Sequence, residues 1–175
     1  TVVFGTNGAS NVKTASTTAT VSDVGGSLVN ASTLQYVWDT QNTTTPTTGW
    51  ATFTNGAALT KTGVTGTYYL WVKASDNATN SVVTKSNAFL VDNTAPTAPV
   101  ISLSTTAWTN SSVTATITYS ADSATKQYSI DGGTTWAVYT APIVVSANGS
   151  VIARAIDLAT NQSTNTASIT NIEKT

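Results

Sequence analysis

A five-residue motif occurs twice in this chain, 81 residues apart, and constrains the fold more than any other feature. Residues 76–80 read DNATN and residues 157–161 read DLATN. The similarity runs on at the same offset, because residues 91–94 (VDNT) align with residues 172–175 (IEKT). Repetition at a fixed period predicts two copies of one small fold. It also favours reach, presentation or assembly over chemistry at a single site.

The joint between the two copies follows the first one directly and reads APTAP. Both prolines fix φ and bias the preceding residues towards extended conformations. The sequence therefore predicts a first domain at residues 1–94, a linker at 95–99 and a second domain at 100–175. A domain of about 80 to 95 residues can bury a workable core without metals or disulfides.

Composition excludes several classes of function. Cysteine and histidine are both absent, which removes disulfides, thiolate chemistry and the most frequent general base. Seven basic and eight acidic residues give a net charge of −1, and no cluster of Lys and Arg could form a nucleic-acid-binding face. No apolar run approaches the roughly 18 to 20 residues that span a bilayer.

The second half of the chain is predicted to consist of short strands, with no helix. Threonine accounts for roughly one residue in five, and apolar and polar residues alternate in short segments separated by Gly, Asn, Asp and Ser. Seven such segments occur: residues 100–103, 113–119, 127–130, 136–139, 143–145, 151–156 and 164–169. This spacing predicts an antiparallel β-sandwich.

The first half repeats this order of strands. Residues 17–21, 34–38, 50–54 and 68–74 match segments of the second half in turn. The main difference is a long Thr-rich connection at 39–50, where the second half has a tight turn. Insertions confined to loops are expected between two copies of one fold.

The hairpin motif D-x-A-T-N, the linker DNTAP at 92–96 and the stretch YSIDGGTTW at 128–136 resemble bacterial immunoglobulin-like (Big-type) repeat modules. Such modules occur in bacterial adhesins, S-layer proteins and multidomain secreted enzymes, usually as stalks or spacers. The resemblance covers essentially the whole chain. It implies an all-β protein of two tandem antiparallel immunoglobulin-like β-sandwich domains, with about seven strands each. It also implies an extracellular location, at the bacterial cell surface or cell wall.

Residues 129–136, SIDGGTTW, fit the Asp-box pattern familiar from sialidase propellers. A glycosidase of that kind repeats the box once per blade, whereas this chain has a single copy. We therefore interpret it as a β-turn in which Asp131 accepts hydrogen bonds from backbone amides, the glycines permit positive φ and Trp136 packs against the hairpin.

The five tryptophans divide into four expected to be buried and one expected to be exposed. Trp50 and Trp136 fall at equivalent positions of the repeat, and Trp38 and Trp71 lie within strands beside apolar residues. Trp108 lies in a loop or at a strand end. It is the candidate ligand-binding residue.

Carboxylates are few, and four of them are predicted to meet at the joint between the domains: Asp39, Asp92, Asp122 and Asp157. Oxygen-rich clusters suit Ca²⁺, and some adhesins that this sequence resembles stiffen their joints with it. The alternative is that each Asp caps its own turn. Asp23 and Asp76 are predicted to share the corresponding end of the first domain. No cofactor is required, and calcium at the joint between the domains is the one candidate.

The preferred function is structural: spacer or assembly modules of a large bacterial extracellular surface protein, such as an S-layer subunit or an adhesin stalk. Their partners would be neighbouring modules of the same protein, further copies of it or cell-wall polysaccharide. We expect no catalysis, because the acids fall in turns and no hydroxyl stands out as a nucleophile. The alternative is a carbohydrate- or ligand-binding accessory module of an adhesin or of a secreted polysaccharide-active enzyme.

Overall fold

The computed structural model describes residues 1–174, and the chain divides into two compact units. The first unit is Thr1–Asn93 and the second begins at Thr94. The predicted linker at 95–99 lies just before Val100, where the first strand of the second unit begins. No helix in the described part of the chain is long and apolar enough to cross a membrane.

The first unit contains nine strands within residues 1–93, so the expectation of about seven strands was too low for this unit. They are β1 (Val2–Phe4), β2 (Ala9–Val12), β3 (Thr14–Val21), β4 (Gln35–Asp39), β5 (Ala51–Thr52), β6 (Ala58–Thr62), β7 (Gly66–Ser75), β8 (Ser81–Lys85) and β9 (Phe89–Val91). One sheet has the order β1-β3-β6, and the other has the order β2-β9-β7-β4-β5 with β8 also paired to β7. All pairs are antiparallel except β2 with β9. A 3₁₀ turn at Ala31–Thr33 precedes β4.

The second unit contains seven strands within the described residues. They are β10 (Val100–Leu103), β11 (Val113–Thr118), β12 (Thr125–Ser129), β13 (Ala137–Val138), β14 (Ile143–Val145), β15 (Gly149–Ile156) and β16 (Gln162–Ile169). They form the sheets β10-β11-β14 and β13-β12-β15-β16, and every pair is antiparallel. Each of the seven segments predicted from the sequence overlaps one of these strands.

Alternating burial explains why these segments form strands that enclose a core. In β15, Val151, Ala153 and Ala155 are fully buried, while the residues between them point away from the core and stay partly exposed. Side chains from both sheets meet in the same way in the first unit, where the buried set includes Ala15, Ala19, Leu59, Leu70, Val72 and Phe89. Each unit is therefore a two-sheet β-sandwich, antiparallel except for the β2–β9 pair of the first unit, and the all-β prediction is confirmed.

The long connection at residues 40–50 folds back over the outward face of the β4–β7 sheet. The indole Nε1 of Trp71 donates to the carbonyl oxygen of Gln41 at 2.9 Å, and Nε1 of Trp50 donates to that of Pro46 at 2.9 Å. Pro46 is buried as a result. The loop thus gives the first unit a second apolar layer outside its core.

Candidate functional site

The repeated D-x-A-T-N motif forms the same turn in both units. The backbone amides of Asp76 and Asp157 each donate, at 3.0 Å, to the carbonyl of the asparagine four residues on, Asn80 or Asn161. The fourth residue, Thr79 or Thr160, has a φ of 67° or 68°, which is the left-handed region. The motif joins β7 to β8 and β15 to β16, so it is a hairpin connection in both copies.

The Asp side chain of the motif is engaged by the turn itself. In the second unit, Oδ1 of Asp157 accepts from the amide of Asn161 at 2.8 Å and Oδ2 accepts from its Nδ2 at 2.9 Å. The equivalent bonds of Asp76 with Asn80 measure 2.8 and 2.7 Å. Asp157 is 9% exposed. Because both oxygens bond locally, the motif stabilises the hairpin rather than presenting a reactive group.

Two carboxylates of the first unit meet beside a cleft of about 190 Å³. The Ser27 hydroxyl lies 3.0 Å from Oδ2 of Asp23 and 2.8 Å from Oδ2 of Asp76, and its single proton is shared between them. The sequence placed these two acids at one end of the domain, and the structure brings them together. Ser27, which joins them, was not among the residues that the sequence singled out.

The electrostatics of this pair do not suit acid–base catalysis. The pKa of Asp23 lies below its ordinary value mainly because the Gly25 amide donates to it at 2.9 Å. That of Asp76 is lowered chiefly by the side-chain amide of Asn80. A catalytic carboxylate pair needs the two pKa values pushed apart, with one raised towards neutrality. Here both are lowered, so both groups are anionic at neutral pH.

The Asp-box segment is a self-contained turn, as the sequence predicted. Asp131 accepts from the Thr135 hydroxyl at 2.6 Å, from the Thr135 amide at 2.9 Å and from the Ser129 hydroxyl at 2.7 Å. These bonds hold the pKa of Asp131 at about 2, and the bond from the Thr135 hydroxyl has the largest effect. Gly132 and Gly133 have φ values of 72° and 90°, a region that glycine adopts without strain.

The tryptophan predictions hold for two of the four residues expected to be buried. Trp38 is 9% exposed and Trp71 is 6% exposed. Trp50 and Trp136 are only half-buried, so the prediction of burial was wrong for them. Each lies on the outward face of its sheet beneath a basic side chain, with Nζ of Lys73 4.4 Å from the Trp50 ring centroid and Cζ of Arg154 3.9 Å from that of Trp136.

These aromatic–cation stacks are a shared feature that the sequence reasoning missed. In both units the basic residue faces a glutamine on the adjacent strand: Gln35 pairs with Lys73 and Gln127 with Arg154. Lys73 and Arg154 are 81 residues apart, which is the repeat period. Alignment of the two copies therefore places a basic residue at the same position in each, but the match is inconspicuous because one residue is Lys and the other is Arg.

The predicted ligand residue Trp108 lies in the loop between β10 and β11 and is 74% exposed, as expected. It borders an open depression of about 280 Å³ that is also lined by Thr109, Asn110 and Glu173. Its role in binding stays a prediction.

The predicted calcium ligands do not form a metal-binding group within either unit. Asp39 caps its own turn, because its Oδ1 accepts from the Gln41 amide at 2.8 Å, and Asp157 is engaged by Asn161. Asp122 is exposed between β11 and β12, and Asp92 follows β9. Among residues 1–174, no three acidic side chains are grouped so that they could hold a metal ion. Interdomain calcium remains a prediction.

Comparison with known proteins finds a likeness among solved structures. No family model matches the chain, and neither does any curated protein. Among solved structures, the chain is similar to the fibronectin(III)-like modules of CbhA from Clostridium thermocellum, with 17% identity and a TM-score of 0.44 over 99% of this chain and 95% of that one. The assignment of each unit as a β-sandwich is therefore based on the strand order and register of this chain itself.

Proposed function

We propose that the chain is a pair of structural spacer modules from a large bacterial extracellular surface protein, of the S-layer or adhesin-stalk kind, and that it performs no catalysis. One observation carries this proposal. The polar motif common to both copies is used in the same way twice, with the Asp carboxylate bonded to Asn80 or Asn161 inside its own hairpin. The polar feature that both copies share is therefore a structural turn.

The strand pairing of each unit suits a role under tension. Pulling along the chain loads the last strand of each unit. In the second unit β16 pairs with β15 over eight consecutive residues, from Gly149↔Ile169 to Ile156↔Gln162. In the first unit β9 is paired on both sides, to β7 and to β2. We expect these continuous pairings to resist extension.

The resemblance to bacterial immunoglobulin-like modules supports placing the parent protein outside the cell. In such a protein the partners of these units would be neighbouring modules and further copies of the same chain. The proline-containing segment at residues 95–99 supports a spacer role as well, because its two prolines restrict the backbone between the units.

Single-molecule stretching of the two-unit chain between specific end attachments tests the proposal. We expect two separate unfolding events, each lengthening the chain by about 25 to 30 nm, since an extended residue spans at most about 3.6 Å. A control with one unit destabilised should lose one event and keep the other. Extension of both units without a resolvable force peak would rule out a load-bearing spacer.

A further inference from the structure

The loop between β10 and β11 exposes a large aromatic side chain that the fold does not need. Trp108 is 74% exposed, while the backbone on either side of it is held firmly. Nδ2 of Asn171 donates to the carbonyl of Ala107 at 2.7 Å, and the Thr109 amide donates to the carbonyl of Asn171 at 2.9 Å. Asn171 is itself 8% exposed. The indole is therefore presented by a fixed backbone.

The first unit has no counterpart of this tryptophan. Thr109 bridges Ile172 in parallel, and its carbonyl accepts from the Glu173 amide at 2.8 Å. In the first unit Val12 occupies that position, because it pairs in parallel with Val91 and its carbonyl accepts from the Asp92 amide at 2.9 Å. The residue before Val12 is Asn11, which has a φ of 55°. Trp108 is thus specific to the second unit rather than part of the shared fold.

The residues around Trp108 are polar, and their chemistry indicates which kind of ligand could bind against the indole ring. The depression beside the ring is lined by Thr109, Asn110 and Glu173. Oδ1 of Asn110 is 3.3 Å from the Ser111 hydroxyl, and Nδ2 of Asn110 has no hydrogen-bond partner within residues 1–174. A protein interface needs a buried apolar centre contributed by several side chains. One flat ring rimmed by an amide, a hydroxyl and a carboxylate instead matches a sugar ring, with its C–H face and its hydroxyl groups.

We propose that Trp108, Asn110 and Glu173 form a surface site for an uncharged polysaccharide of flat, equatorially substituted pyranose units. The indole stacks against the C–H face of one sugar. Asn110 Nδ2 donates to a hydroxyl oxygen, and the Glu173 carboxylate accepts from a hydroxyl proton. The charge of Glu173 disfavours acidic polysaccharides at this position. This site goes beyond the spacer role, and neither depends on the other.

Affinity electrophoresis of the two-unit chain tests the site. The gels contain soluble uncharged polysaccharides: hydroxyethylcellulose, xylan, glucomannan and laminarin. We expect retardation in at least one of them, and Trp108→Ala should weaken that binding by about tenfold or more, as loss of a central aromatic anchor does. Asn110→Ala and Glu173→Gln should weaken it less.

Leu158→Ala is the matched control, since Leu158 is another exposed apolar side chain of the same unit and lies in the turn at the opposite end of β16. It should leave binding unchanged, and the thermal unfolding of all four variants should confirm that they fold. Retention in none of the four gels overturns the proposal. So does retention that Trp108→Ala leaves unchanged. If Trp108→Ala abolishes self-association in sedimentation velocity without any sugar binding, the ring is a protein contact and the proposal fails.

Discussion

Two hairpins occupy equivalent places in the two units and are built in different ways. After β4, residues 40–50 form a long loop that covers Val37 and Trp71 on the outward face of the sheet. After β12, residues 130–136 form the Asp-box turn, which covers Ser129 instead. The hydroxyl of Ser129 accepts from the Gly133 amide at 2.9 Å and donates to Asp131 at 2.7 Å. One hairpin therefore covers apolar side chains with a loop that is held by indole hydrogen bonds, and the other is built around the hydrogen bonds of a serine hydroxyl.

What the two hairpins share is their closing residue. Each ends in a tryptophan, Trp50 or Trp136, that lies under a basic side chain of the neighbouring strand. The inner core and this closing stack are therefore retained between the copies. The layer outside the sheet is free to change from apolar to polar.

The largest expected effect concerns the residue beneath each hairpin. Trp71 and Ile152 occupy equivalent positions, but Trp71 is buried under the long loop and Ile152 is only half-buried. We expect Trp71→Ala to lower the free energy of unfolding of the first unit by about 3 to 5 kcal/mol, and Ile152→Ala to cost the second unit about 1 kcal/mol. Urea denaturation followed by hydrogen exchange of peptides from each unit measures both. Equal costs would show that the two outer layers do not differ as described.

A smaller effect should appear in the polar hairpin on acidification. The pKa of Asp131 is about 2, against an ordinary value of 3.8, chiefly because of the Thr135 hydroxyl. A lowered folded-state pKa means that the stabilisation is present above pH 3.8 and is lost as the pH falls through about 2. Asp131→Asn should remove this acid dependence from the second unit. Titration of the Asp131 carboxyl by NMR checks it, and a midpoint near 3.8 would contradict the turn described here.

The Trp–Lys and Trp–Arg stacks that close the hairpins should contribute less to the free energy of unfolding than either hairpin does. Double-mutant cycles on Trp50 with Lys73 and on Trp136 with Arg154 should give coupling energies of about 0.5 to 1 kcal/mol. The Arg154 pair should be the stronger, because its guanidinium lies nearer the ring and is also held by Oε1 of Gln127 at 2.6 and 3.2 Å. Coupling energies of zero in both cycles would make the stacks incidental.

The smallest expected effect is that of removing calcium. Asp39 and Asp157 are both hydrogen-bonded within their own turns, so we expect EDTA to leave the melting transitions of both units unchanged. Differential scanning calorimetry with and without added Ca²⁺ measures this. A fall of several degrees on chelation, reversed by Ca²⁺, would instead support the interdomain site predicted from the sequence.

Much of the fold could be predicted because the repeat reports which residues are equivalent. The seven predicted strands of the second unit were found because residues such as Val151, Ala153 and Ala155 alternate with outward ones. In the first unit, two strands, β8 and β9, follow β7 where the second unit has the single strand β16 after β15, and this division could not be predicted. There β8 ends at Lys85, and the Ser86 hydroxyl accepts from the Leu70 amide at 2.9 Å before β9 begins. That bond depends on a tertiary contact with no local signature.

The candidate sites were predictable only where a side chain acts within its own segment. The turns of Asp131 and Asp157 could be read from spacing, because donor and acceptor lie within four residues of each other. Ser27 bonds Asp76 across 49 residues, and such a bond leaves no mark in the local sequence. The half-burial of Trp50 and Trp136 was missed because a stacked basic residue can shield a ring on the surface.

The most direct test of the central claim is to remove the shared carboxylate from each copy in turn. The D-x-A-T-N motif is a structural turn in both units. Asp157→Ala should destabilise the second unit by about 1 to 3 kcal/mol, because the amides of the buried turn lose their acceptor. Asp76→Ala should destabilise only the first unit, and to a smaller extent since Asp76 is more exposed. Urea unfolding resolved by unit-specific hydrogen exchange gives both values. Two variants that both unfold like the parent chain would contradict the account, because the carboxylates would then be free to serve a ligand.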